Sequence, residues 1–282
     1  MKIDLHLHLD GAITVDIAKK LARVQGIELP TEDDEKLKKL LTVPEDCASL
    51  NDFLKCFELP GSLMMTKEGI REAVYLVSEN IKSQGIIYAE IRFAPQNHTK
   101  KGMSQEEAIK AALEGLKRTS LKANLILCCM RGNGNDEANY ETVELTKKYL
   151  VEDGGVTALD LAGAEALYPT SNYSNLFKRA REYGIPFTIH AGEADGAESV
   201  KYAIEDMSKY PFMDYLNEGI KVTLNTDDMA IEGITLSEEY DYMKKEYGLT
   251  FEQERIILKN AIDAAFTSNF VKNKLKKELN LE

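Results

Sequence analysis

Six short apolar runs recur along this chain, at residues 3–9, 86–93, 124–130, 156–161, 186–189 and 221–224, and each ends in polar residues. Several are apolar almost throughout, the pattern of parallel strands buried on both faces. Helical segments separate them. Ser104 followed by Glu107 is a capping box that opens a helix running to about Arg118. Ile70, Val74, Val77 and Ile81 repeat at helical spacing before Gly85 ends that helix. Such alternation specifies a parallel α/β domain. The expected fold is an α/β barrel of the (β/α)8 TIM type, one domain spanning 1–282. Residues 14–66 read as a long helical insertion after the first strand, packed over one end of the barrel, and 251–281 as helical.

The polar residues that end the runs carry the functional signal. They are His8 and Asp10, then Arg92, Arg131, Asp160 with Gly163, His190 with Glu193, and Asn225 with Asp227 and Asp228. In a (β/α)8 barrel the active site lies at the C-terminal face of the strands, where these groups would gather.

Between Asp4 and Asp10 polar and apolar residues alternate with a period of two, which puts His6 and His8 on one face of a strand. Two imidazoles so placed converge on a point, as metal ligation requires. The chain has 4 histidines. His6, His8 and His190 end strands, whereas His98 lies in a polar loop and reads as a non-ligand. Three imidazoles and one carboxylate make a zinc site with a position left for water. Asp227 is the best fourth ligand, and Asp228, pointing elsewhere, is available to a substrate. Magnesium would prefer an all-oxygen shell. Asp160 reads as a buried structural acid, and Arg131-Gly132-Asn133-Gly134 as a turn.

The net charge of −12 argues against a phosphate-tracking face, so no nucleic-acid partner is expected. Cys47, Cys56, Cys128 and Cys129 lack metal-type spacing and read as free thiols in a reducing compartment. The N-terminus is a strand rather than a signal peptide, and no run nears the ~20 residues of a membrane span. A cytoplasmic protein is expected.

Five blocks in order, His6-x-His8-x-Asp10-Gly11-Ala12, Ile91-Arg92-Phe93-Ala94-Pro95, Asp160-Leu161-Ala162-Gly163-Ala164-Glu165, His190-Ala191-Gly192-Glu193 and Asn225-Thr226-Asp227-Asp228, resemble the adenosine deaminase family. The resemblance implies one Zn²⁺ per chain, held by His6, His8, His190 and Asp227. The metal would lower the pKa of its water to ~7, and hydroxide would attack C6 of a purine nucleoside. Glu193 would protonate N1 as a carboxylic acid kept neutral by its surroundings. Asp228 would contact N7, the Gly163 N–H would contact N3, and Asp10 would hold a ribose hydroxyl. Inosine and ammonia result. Deamination of free adenine is the nearby alternative, and Asp10 argues for a nucleoside. The cytidine-deaminase motifs are missing.

The family's block with a Gly-His-Gly strand end, followed by a strand ending in Cys-Pro-Thr-Ser-Asn, has no counterpart here. That histidine is thought to deprotonate the attacking water. No histidine follows His190. About two strands, the sixth and seventh, are therefore not found, with the break near Met207-Ser208. Eight strands close such a barrel, and two strands with a helix and loops would be roughly 40 residues. Either the molecule lacks this block, leaving a zinc and nucleoside binder with little turnover, or the block exists outside these 282 residues. We favour the second reading, because excising two barrel strands should ruin a fold whose other site residues are all kept.

Overall fold

A computed structural model describes residues 1–44, 53, 55–191 and 212–281 of the chain. Four strands form a parallel sheet in the order β1 (Lys2–His8), β2 (Ile86–Phe93), β3 (Lys122–Met130) and β4 (Val156–Ala162). All seven residues of β4 are buried, as a strand covered on both faces requires.

Two extended segments continue the ring. Beyond β4, Leu159 N donates to Pro186 O (2.9 Å), Thr188 N to Leu159 O (3.0 Å) and His190 N to Leu161 O (3.0 Å). Beyond β1, Asp227 N donates to His6 O (2.8 Å) and His8 N to Asp227 O (2.9 Å). Neither of the last two apolar runs becomes a full strand. Residues 186–189 make one parallel bridge, Leu159 to Phe187, and pairing near 221–224 is displaced to a bridge at Leu7 and Asp227. Each segment has a backbone neighbour on one side only among the described residues, so half of its ladder is unmade. On the β1 side a side chain replaces the ladder, with Leu5 N donating to Asn225 Oδ1 at 2.8 Å.

Helices wrap the outside. The insertion contributes α1 (Val15–Gln25), α2 (Asp34–Leu41) and α3 (Glu58–Leu63). The crossovers are α4 (Lys67–Ser83), α5 (Gln105–Leu116), α6 (Asp136–Tyr149) and α7 (Ser174–Glu182). After them come α8 (Phe212–Asn217), α9 (Met229–Glu232), α10 (Leu236–Tyr247), α11 (Phe251–Ala264) and α12 (Asn269–Glu278). The capping box at Ser104 and Glu107 forms as expected and starts α5. Ile3, Leu5, Leu7, Ala89, Ile91 and Leu125 join the helices in one apolar core. No described helix is long and apolar enough to cross a membrane.

The other face of these strands lines the inside of the ring and is polar. Asp4, Tyr88, Glu90, Arg92, Asn124 and Asp160 are all buried. At its lower end the Tyr88 hydroxyl donates to Glu90 Oε1 (2.9 Å) and Asn124 Nδ2 donates to the Tyr88 oxygen (3.0 Å). Phe266 N closes this plug on Glu90 Oε1 at 2.5 Å. The metal-type side chains stand at the upper end.

Candidate metal centre

His6 and His8 leave β1 on the inner face. His190 enters from the segment beside β4 and Asp227 from the segment beside β1, so the far ends of the ring meet over its mouth. His190 Nε2 lies 3.0 Å from both His6 Nε2 and His8 Nε2. Asp227 Oδ1 lies 3.1 Å from His6 Nε2 and 3.3 Å from His8 Nε2. One ligand atom from each of the four falls within 4.8 Å of the others. Zinc–nitrogen bonds of ~2.0–2.1 Å in a tetrahedron put ligand atoms about 3.3 Å apart, so spacing and donor set both suit such an ion.

The electrostatics favour the ligand forms. Burial lowers the His6 pKa and pushes His8 down to about 3, keeping both imidazoles neutral. Burial would raise Asp227, but His6 and the other imidazoles pull it down to about 2. Asp227 has φ +52°, a left-handed conformation uncommon for a non-glycine residue and typical of functional positions.

Asp160 stands behind this cluster. It is 0% exposed, and its Oδ2 lies 3.0 Å from His190 Nδ1, although off the line of an ideal hydrogen bond. That contact favours the proton on Nδ1 and leaves Nε2 bare toward the cluster. Arg92 Nη1 donates to the same Asp160 oxygen (3.1 Å) and Nη2 to the Leu5 carbonyl (2.8 Å). The guanidinium thus ties β1, beside His6, to the acid that orients His190. Arg131 anchors His190 from outside, donating to its carbonyl at 2.6 Å and to the Tyr168 carbonyl at 2.7 Å.

The first sequence reading assigned Asp160 no part in the site and missed the links of Arg92 and Arg131. The available signal was their shared position at strand ends. His98 stays outside the cluster, as expected, but is buried on a 3-10 turn and bonded to the Met64 backbone rather than lying in a solvated loop.

Asp10, Gly11 and Ala12 form a 3-10 turn directly after β1, and burial raises the Asp10 carboxyl above its ordinary range. Gly163 follows β4 with φ +101°, which only glycine adopts readily. Asp228 is buried and precedes α9 without capping it through its side chain. Glu193 and the Met207-Ser208 junction lie outside the described residues.

A family model described as adenosine deaminase matches residues 1–209 and 204–281. The adenosine deaminase of Haemophilus ducreyi is 40% identical over 316 aligned residues, covering 95% of this chain and 92% of that protein. That of Clostridium botulinum is 33% identical over 324, covering 98% and 97%. Both alignments are longer than the 282 residues present, so these relatives carry residues without a counterpart here. Among solved structures, an adenine deaminase from Arthrobacter aurescens superposes with TM-score 0.81 at 22% identity, covering 99% of this chain and 98% of that one. An N6-methyl-AMP deaminase from Arabidopsis thaliana gives 0.81 at 22%, covering 99% and 96%. An amidohydrolase from Burkhoderia ambifaria with bound Zn gives 0.79 at 19%, covering 99% and 90%. The shared fold is the TIM-type barrel.

Proposed function

This chain belongs to the adenosine deaminase family and is a hydrolytic deaminase of purines; we propose that it converts adenosine, or a close 6-aminopurine nucleoside, to inosine and ammonia at a zinc centre. The observation that carries the reading is the meeting of His6, His8, His190 and Asp227 over the mouth of the ring. Zinc bound there would supply a water acidified to near neutral pH.

The other roles belong to residues around that point. Asp228 faces N7, the Gly163 N–H faces N3, and Asp10 receives a ribose hydroxyl. Glu193 donates the proton to N1 as the C6–N bond of the amine is replaced by C6–O. A buried carboxylate at Asp10 suits a sugar hydroxyl and opposes a 5′-phosphate, which favours a nucleoside over a nucleotide.

The reading is tested by comparing kcat/KM for adenosine, adenine and N6-methyl-AMP on zinc-loaded protein. Adenosine is expected to lead, and faster turnover of either other compound overturns the assignment. Glu193→Gln should keep one zinc per chain and lower kcat by ~10²–10⁴-fold, whereas His6→Ala should lose the metal.

A second reading rests on the lack of any histidine after His190. A chain without the family's histidine base would bind zinc and nucleoside with little turnover. Intact mass separates the two. A value several kilodaltons above 31.6 kDa means that the missing block exists, and a value equal to it favours the binder. The two family-model matches that meet at 204–209 support a block lying there in relatives.

A further inference from the structure

Glycine is retained in a protein for one of two physical reasons, a left-handed backbone or a close approach. Gly11 is not among the glycines with positive φ, so the first reason does not apply. The second does. A Cβ built on Gly11 would lie 1.9 Å from Asp228 Oδ1, 2.7 Å from its Cγ and 2.8 Å from its Cα. Both the backbone and the carboxylate of Asp228 therefore rest on the bare face of Gly11.

The cause lies one residue earlier. Asp227 is paired to β1 through its N–H and carbonyl and takes φ +52°. This turn leaves the Asp227 carboxylate beside the imidazoles and brings residue 228 onto the 3-10 turn at Asp10–Ala12. We propose that Gly11 is a positioning residue: its missing side chain is the seat that aims the Asp228 carboxylate at the purine. The proposal rests on the reading of Asp228 as the N7 partner given above. A side chain at position 11 must push that carboxylate aside, and a misplacement of ~1 Å in a positioning group can cost about 10²-fold.

The test compares purine riboside and 7-deazapurine riboside as competitive inhibitors of the zinc-loaded enzyme. Wild type should bind the N7 compound about 10- to 100-fold more tightly, the value of one lost hydrogen bond at a buried acceptor. In Gly11→Ala that ratio should collapse toward one with zinc content unchanged. Gly61→Ala, whose added Cβ meets nothing within 4 Å, should keep the wild-type ratio. A ratio preserved in Gly11→Ala overturns the proposal.

The thermal midpoint is read in parallel. Gly11→Ala should lower it less in an Asp228→Gly background than in wild type, because the colliding carboxylate is gone. Equal losses in both backgrounds, or equal failure to fold, also overturn the proposal. A wild type that ignores N7 but shows this coupling would instead refute the purine-contact reading and leave the seat in place.

Discussion

Asp160 and Glu90 are both buried inside the same ring, at 0% and 2% exposure, yet they hold opposite charge states. Burial raises Glu90 to about 7, against the hydrogen bonds from Tyr88 and the Phe266 backbone. Burial pushes Asp160 the same way, but His190 and the Arg92 charge bring it well below the ordinary carboxylate range. Arg92 shares a strand face with Glu90, two residues away, and its guanidinium reaches toward Asp160 and Leu5 instead. Desolvation alone makes a neutral acid. A charge survives inside only where a cation is aimed at it, and this chain aims its cation at the end that carries the histidines.

The sharpest way to break this contrast is Arg92→Met. Removing one partner of a buried ion pair costs about 3–5 kcal/mol. The variant should lose that much in urea unfolding and bind zinc more weakly. An unchanged midpoint would mean that Asp160 does not depend on Arg92 for its charge. Asp160→Asn should leave the fold standing and weaken zinc ~10–100-fold, measured by chelator competition. Zinc affinity equal to wild type would show that His190 needs no acid behind it.

Glu90→Gln probes the other end through pH. The folded pKa of about 7 lies above the ordinary 4.5, so the folded state keeps this proton longer than the unfolded one. Wild-type stability from this group is whole below pH ~4.5 and is lost as pH rises through 7. The glutamine variant lacks that loss. The stability difference should therefore shift in its favour by on the order of 2 kcal/mol between pH 4.5 and 8. A pH-independent difference would show that Glu90 titrates normally.

Much of the upper end was legible in the sequence, because His6-x-His8 and the strand-end residues at 190 and 227 sit where period-two alternation and barrel geometry place them. Their support was not. The partner of His190 Nδ1 depends on which strand lies beside residues 186–190, a non-local fact. Tyr88-x-Glu90-x-Arg92 carries the same alternation as the histidines, but inside a run read as apolar it passed as core. The runs at 186–189 and 221–224 were misjudged because apolarity reports burial and not a second strand neighbour. His98 looked solvated from its polar flanks, whereas its burial comes from the insertion laid over it at Met64.

The segments bearing His190 and Asp227 hold on to the sheet by single bridges, one at each end of the ring. An ion gripped by both residues, and by His6 and His8 between them, would act as a clasp across two weakly sewn hems. Its binding energy then becomes folding energy for the parts with the fewest backbone bonds. At a free concentration a hundred times its Kd, that linkage contributes about 2.7 kcal/mol to a fold that binds it only when intact. Metal starvation would in that case loosen the seam of the ring well before it disturbed the four-stranded sheet opposite.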